Sequence, residues 1–379
     1  MPVCARNHRD EAVDWWFAYK LPAGAQHAPD SHDGAPTTTG HEYLYFDPKI
    51  VKGTSSPKPL ALAQYRLNQS GGCFFNTVSQ IFSGRPTIGR ILYDDEVSGI
   101  GQNIHRGHCK GVIGIDLESD SAFWLIHSTP RYPAAWVPDY PEFEVIYGQT
   151  FLCISLPDVK TAEQIAAVMT RQHEPWVFGV KLPGDLSGNS PLRALGVEYY
   201  NNENGPFTET LEFQSKHGQQ FRLVAKNGKW GQDFWNELMC DDLGCDLNVE
   251  TWRRGIVAAR ADDTGSHLIG DALSIDLEPI HVHYAWPYTR DHAKWAVSLD
   301  AKQPWICVGD INRDKSQSHR GGGAVAFQHQ ELWKSLSKIE SLENLPEPTA
   351  ERPSTTRSKT TQRKSLAIKT KSSKRRRKS

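Results

Sequence analysis

A histidine and a lysine two residues apart, His108-Cys109-Lys110, head the apolar run Gly111-Val112-Ile113-Gly114-Ile115-Asp116. Alternate residues of a strand point to one side, so at the mouth of a buried strand this imidazole and ammonium would face one site together. The pattern returns as His292-Ala293-Lys294 ahead of Trp295, and an aspartate stands six residues after each lysine, Asp116 and Asp300. Two His-x-Lys units suggest a bipartite site.

Such a set suits an anionic phosphodiester. Its cleavage needs a pentavalent oxyanion stabilised and a leaving alkoxide protonated. Two lysines supply a cationic clamp without a metal, one neutral histidine can attack phosphorus, and the other, protonated, can donate to the leaving oxygen. Ser128 and Asn312, after the next strand of each half, could add hydrogen bonds to the phosphoryl oxygens. Needing one protonated imidazole, the reaction should favour acidic to neutral pH.

Other groups carry less. A single His-x-Lys is ordinarily a surface pair or a satisfied core histidine; the repetition gives this one weight. His281-Val282-His283 alternates like a metal edge, yet no further ligand accompanies it at ligand spacing, so core or surface histidines are expected. Gly321-Gly322-Gly323 lacks the Lys-Ser/Thr of a phosphate loop and reads as a tight turn. Cys109 would point away from His108 and Lys110, as a buried spacer.

The elements that position these residues alternate between strands and helices. Strands are expected at Val13 to Pro22, Glu42 to Phe46, Arg90 to Tyr93, Gly111 to Asp116, Ala122 to Ile126, Tyr147 to Leu156 and Trp305 to Val308. Helices are expected from a capping box at Thr161-Ala162-Glu163-Gln164, from Gln232 to Leu243 with Gly244 as a stop, and from Phe327 to Leu342. A helical turn fits Asn76 to Phe82, and residues 23–40 and 47–59 read as loops. Trp15, Phe17, Lys20, Leu21 and Pro22 recur in place as Trp176, Phe178, Lys181, Leu182 and Pro183, which looks like an internal duplication. The expectation is two similar α/β halves, 1–165 and 166–345, with a tail at 346–379.

The 379 residues, 38% hydrophobic with 12 Trp, suit a globular body. No apolar run approaches a membrane span and the N-terminus lacks an apolar signal core, so no membrane partner is expected and export has no support. The net charge of -1 hides an asymmetry. Residues 351–379 hold 12 of the 43 Lys and Arg and one of the 44 acidic residues, leaving the tail at +11 and the rest at -12. The tail should be disordered, as a solubilising appendage, a polyanion tether or a nuclear address on Lys374-Arg375-Arg376-Arg377-Lys378. Seven scattered cysteines do not make a dense disulfide framework.

The runs Arg106-Gly107-His108-Cys109-Lys110-Gly111-Val112, Phe123-Trp124-Leu125-Ile126-His127-Ser128, Tyr147-Gly148-Gln149-Thr150, His292-Ala293-Lys294-Trp295, Val308-Gly309-Asp310-Ile311-Asn312-Arg313 and Arg320-Gly321-Gly322-Gly323 together resemble the deoxyribonuclease II family, over roughly residues 4 to 340. The resemblance implies a phospholipase D-like fold, two mixed-sheet halves about a pseudo-twofold axis with the site between them. It implies a metal-independent acid endonuclease on double-stranded DNA, without cofactor, leaving 3′-phosphate and 5′-hydroxyl ends, and allows a homodimer. His108 and Lys110 would form one half-site and His292 and Lys294 the other, with His108 taken as nucleophile and His292 as acid. Ser128, Asn312, Arg106 and Arg320 are the candidate phosphate-binding groups. Cys4 and Cys153 match a family disulfide, whereas the partner position of Cys307 reads Ala326. Rival readings are a phospholipid or other phosphodiester hydrolase on the same scaffold, and a DNA-binding protein with an inert body.

Overall fold

Runs of β-branched and aromatic residues with one or both faces apolar favour strands, and most of this chain is built from them. The computed structural model describes residues 2–26, 37–48, 59–133, 140–197, 203–253 and 267–342. The expected tail at 346–379 lies outside these, as do parts of both expected loops. Among the described residues no helix is long and apolar enough to cross a membrane.

The first sheet uses β1 (Trp15–Lys20), β2 (Tyr43–Phe46), β3 (Ala61–Leu62), β4 (Ile88–Tyr93), β7 (Gly111–Asp116), β8 (Ser121–His127), β9 (Gln149–Leu156) and β10 (Val177–Lys181), while β5 (Glu96–Val97) and β6 (Gly101–Gln102) form a separate hairpin. The second uses β11 (Thr208–Gln214), β12 (Gln220–Lys226), β13 (Leu247–Thr251), β14 (Ile269–Asp276), β15 (Ala285–Pro287), β16 (Lys294–Ser298), β17 (Trp305–Gly309), β18 (Gly322–Gln328) and β19 (Glu340–Leu342). Read across from the strand beside each His-x-Lys strand, the sheets run β4-β7-β8-β9-β1-β2 and β13-β16-β17-β18-β12-β11. Every neighbouring pair in both runs is antiparallel. Both sheets therefore carry a like antiparallel run around their His-x-Lys strand, with the last two strands in opposite chain order, β1 before β2 but β12 after β11.

The residue echo noticed in the sequence is a different matter. Its second copy forms β10, an edge strand of the sheet that already contains β1, antiparallel to β4 with a bulge between Val177 and Gly179. By position the counterpart of β1 is β12: Lys20 pairs with Gln149 at the start of β9, and Lys226 with Gly322 at the start of β18. The echo arises because an edge strand and a central strand can both use alternating aromatics closed by Leu-Pro.

The two sheets pack face to face. One core joins Trp15, Trp124 and Ile154 of the first to Phe221, Trp295 and Phe327 of the second, and α2 (Val159–Val168) and the last helix (Gln330–Ile339) add Ile165, Leu332 and Leu336 to it. Trp15 meets Phe327 edge-on at 5.0 Å between centroids, a geometry worth about 0.5–1.5 kcal/mol beyond burial. The outer face of the first sheet is covered by α1 (Cys73–Val78), with Phe74 and Val78 in a second core. The outer face of the second is covered by a π-helical stretch, Phe234–Met239, running into a turn of α-helix at Cys240–Leu243. That helix stops at Gly244, φ +65°, as its sequence suggested. Helix α2 begins earlier than the Thr161 box implied: Asp158 is its cap, and the Asp158 carboxylate accepts from the Thr161 amide at 2.7 Å.

Candidate active site

Strand pairing sets the site, because β7 and β16 begin at Gly111 and Lys294, directly behind their histidines. The His108 amide donates to the Gly321 carbonyl at 2.9 Å, and the His292 amide to the Gly148 carbonyl at 2.8 Å. Each histidine backbone is thus held by the opposite sheet's loop. Together they border a pocket of about 210 Å³ that also receives Lys110, Lys294, Ser128, Asn312 and Arg320. Arg106 does not line it. Its carbonyl accepts from Arg320 Nε at 3.0 Å, so it supports the pocket through the backbone.

His108 Nδ1 lies 2.6 Å from the Asp310 carbonyl oxygen. A carbonyl can only accept, so Nδ1 carries the proton and the Nε2 lone pair is left for the pocket. Behind it, Asp310 is buried and its carboxyl is pushed up to about 8, chiefly by desolvation. His173 Nδ1 stands 3.7 Å from that carboxyl. His292 is stacked on Tyr147, with centroids 3.7 Å apart and planes 12° from parallel, and Trp252 meets its edge.

The two lysines differ. Lys110 is bound to the Asp95 carboxylate, whose other oxygen accepts from Arg320 Nη2 at 2.9 Å and lies 4.0 Å from His108 Nε2. Burial would lower Lys110, but Asp95 and then Asp94 outweigh it and leave its pKa raised. Burial would raise Asp95, but Lys110, His108 and Arg320 hold it well below the usual carboxylate range. Lys294 donates to the His292 carbonyl at 2.5 Å, and burial followed by Lys110 brings it down to about 7. Burial and a nearby lysine also lower both imidazoles: His108 falls well below its ordinary value and His292 to about 2. The split of one neutral and one charged imidazole expected from sequence therefore needs an anion between the lysines. Such an anion would oppose the repulsion from the lysines, the second cause, though not the burial.

Ser128 Oγ donates to Gln149 Oε1 at 2.5 Å and accepts from the Thr150 amide, while Asn312 Oδ1 is buried with no partner among the described residues. Asp95, Gln102, Trp252 and Gln317 also line the pocket. Sequence reasoning missed them; Asp95 follows another acid directly after β4 and has no motif of its own. Cys109 is fully buried, as expected of a spacer, whereas Gly321 serves as an acceptor for His108 and Gly322 opens β18. His281 and His283 are exposed, and His283 pairs with Glu278 at 2.7 Å. Asp116 is buried against Arg85, and Asp300 is exposed. All seven cysteines, Cys4 and Cys153 included, are buried free thiols.

The family model for Deoxyribonuclease II matches residues 4–344. A putative deoxyribonuclease-2 of Burkholderia pseudomallei (strain K96243) is 40% identical over 347 residues, covering 90% of this chain and 93% of that protein. Deoxyribonuclease-2-alpha of Sus scrofa is 30% identical over 338 residues, covering 87% and 86%. Deoxyribonuclease-2 of Caenorhabditis elegans is 31% identical over 362 residues, covering 88% and 91%.

Proposed function

The chain belongs to the deoxyribonuclease II family, and from that premise we propose that it hydrolyses DNA phosphodiesters without a metal, through a phosphohistidine on His108, leaving 3′-phosphate and 5′-hydroxyl ends. The observation that carries this reading is the His108 Nδ1 contact with the Asp310 carbonyl, which turns the Nε2 lone pair toward the pocket shared with His292 and both lysines.

Nε2 of His108 attacks phosphorus while the bond to the 5′-oxygen breaks, and His292 gives that oxygen its proton. Water then attacks phosphorus, His292 takes its proton, and the bond to Nε2 breaks. Lys110, Lys294 and Arg320 stabilise charge on the equatorial oxygens, with Ser128 and Asn312 beside them. Arg106 shapes the approach through its carbonyl. Phosphate contacts position the strand without reading its sequence. The two sheets act as related halves, each supplying one pair.

Below about 7 Lys294 is charged, and a bound phosphodiester favours protonation of His292, so cleavage favours acid. The test is nicking of supercoiled plasmid with excess chelator from pH 4 to 8, using the wild type, His108→Ala and His292→Ala. Cleavage should persist in chelator, fall as pH rises through about 7, and drop by orders of magnitude in both variants. A strict need for a divalent ion, or undiminished cutting by His108→Ala, rules the mechanism out.

A further inference from the structure

Two lysines outside the pocket are fully buried at matching places, Lys20 at the end of β1 and Lys226 at the end of β12. Neither forms an ion pair among the described residues. Lys20 Nζ donates to the carbonyls of Glu144 at 3.0 Å, Val145 at 2.9 Å and Tyr147. Lys226 Nζ donates to the carbonyls of Gln317 at 2.9 Å, Ser318 at 3.0 Å and Arg320. An ammonium has three donors, and each of these spends all three on one loop.

The loops are built alike. Each includes residues of a 3-10 turn, Glu142–Glu144 or Lys315–His319, and each reaches a glycine one residue past its last held carbonyl, Gly148 or Gly321. Those glycines accept the amides of His292 and His108. The residue before each glycine also reaches across: Tyr147 stacks on His292, and Arg320 donates to the carbonyls of Arg106 and Gly107 just ahead of His108. Both glycines sit where a side chain has no room. A Cβ at Gly148 would lie 2.7 Å from the Asp291 carboxylate, and one at Gly321 would lie 2.6 Å from the carbonyls of Gln172 and His173.

We propose that Lys20 and Lys226 are reciprocal positioning residues, each fixing a loop of its own sheet so that the loop holds the reacting histidine of the other sheet. The proposal rests on the assignment of His108 and His292 as the reacting groups. Burying an ammonium among carbonyls with no bonded carboxylate is costly, and a surface-exposed loop closure would not need it. What the cost secures is placement, since a displacement of about 1 Å at a reacting group can remove about a hundredfold of rate.

The test is Lys20→Met and Lys226→Met in the full chain, read by cleavage kinetics and by NMR of 13C-labelled histidines, assigned from His108→Ala and His292→Ala. Lys226→Met should shift the His108 signals and spare those of His292, Lys20→Met should do the reverse, and each should lower kcat about tenfold or more while KM changes less than about threefold. Loss of thermal stability with kcat unchanged, or equal disturbance of both imidazoles by either variant, overturns the proposal. If reciprocal shifts appear while His108→Ala and His292→Ala still cut DNA, the positioning stands and the assignment of His108 and His292 as the reacting groups fails. Should a Met variant not fold, hydrogen exchange in the wild type decides: the His292 amide should exchange in step with those of 145–148, and the His108 amide with those of 317–321. Exchange of either histidine with its own strand instead overturns it.

Discussion

At His108 a backbone carbonyl does what a carboxylate often does for an imidazole, fixing the tautomer without adding a charge. The charge stands on the other side of the site, at Asp95, bound to Lys110 and Arg320. Two opposing effects meet there. The carboxylate repels an incoming phosphate, yet it keeps Lys110 charged and in place against burial. Placement dominates the chemical step and repulsion dominates binding, so Asp95→Asn should lower kcat about tenfold or more while KM stays level or falls. Its alkaline limit should also move to lower pH, because Lys294, which sets that limit, loses a carboxylate that raises it. A pH-rate profile of the variant checks both, and an unchanged kcat would mean that Asp95 is only a structural counter-ion.

Among the elements, β7, behind the first His-x-Lys pair, was legible because chemistry and hydrophobic pattern coincide in it, whereas β16, behind the second, was not among the expected strands. The last helix is shorter than the expected Phe327 to Leu342: Phe327 and Gln328 end β18, Glu340–Leu342 form β19, and the helix runs Gln330–Ile339 with Leu332, Leu336 and Ile339 buried. Asp95 was not legible, since only the pairing of β4 with β7 and the arrival of Arg320 from the other sheet place it beside Lys110. Lys226 was hidden for a related reason. Its strand shares no residue pattern with β1, and the matching pattern sits on edge strand β10. The cap of α2 was misplaced by three residues because Thr161 imitates a cap while its hydroxyl also donates to the true one, Asp158. Asp158→Ala should therefore cost about 1 kcal/mol in a urea titration, several times more than Gln164→Ala if the Thr161 box is not used.

Across the whole molecule, buried titratable groups pull stability in opposite directions. His127 and His173 are brought down to about 3 and His292 to about 2, chiefly by burial, and His108 is also well below its ordinary value. A depressed imidazole binds fewer protons folded than unfolded, so its stabilising share is lost as pH falls below about 6.5. Burial raises Glu144 to about 7 and Asp310 and Glu340 to about 8. A raised carboxyl binds more protons folded, so its share is present in acid and lost as pH rises toward 8. The two sets nearly offset between about pH 5 and 6.5. Below about 5 the carboxyls of the unfolded chain also protonate and stop compensating, leaving each unbalanced proton worth about 1.4 kcal/mol per pH unit. Melting temperature should thus be nearly level across pH 5 to 6.5 and fall steeply below it. A midpoint still climbing at pH 4 would contradict the burial of these imidazoles.

The crossed hydrogen bonds from His108 to Gly321 and from His292 to Gly148 bear on how the chain is made. A ribosome that has delivered the first sheet has already released His108 and Lys110, but the carbonyl that holds His108 and the imidazole opposite it come from about two hundred residues further on. On the proposed mechanism, cutting power is withheld until nearly the last strand, β18, is in place. The same dependence disarms the protein on partial unfolding, because parting the sheets removes the support of both histidines in one event.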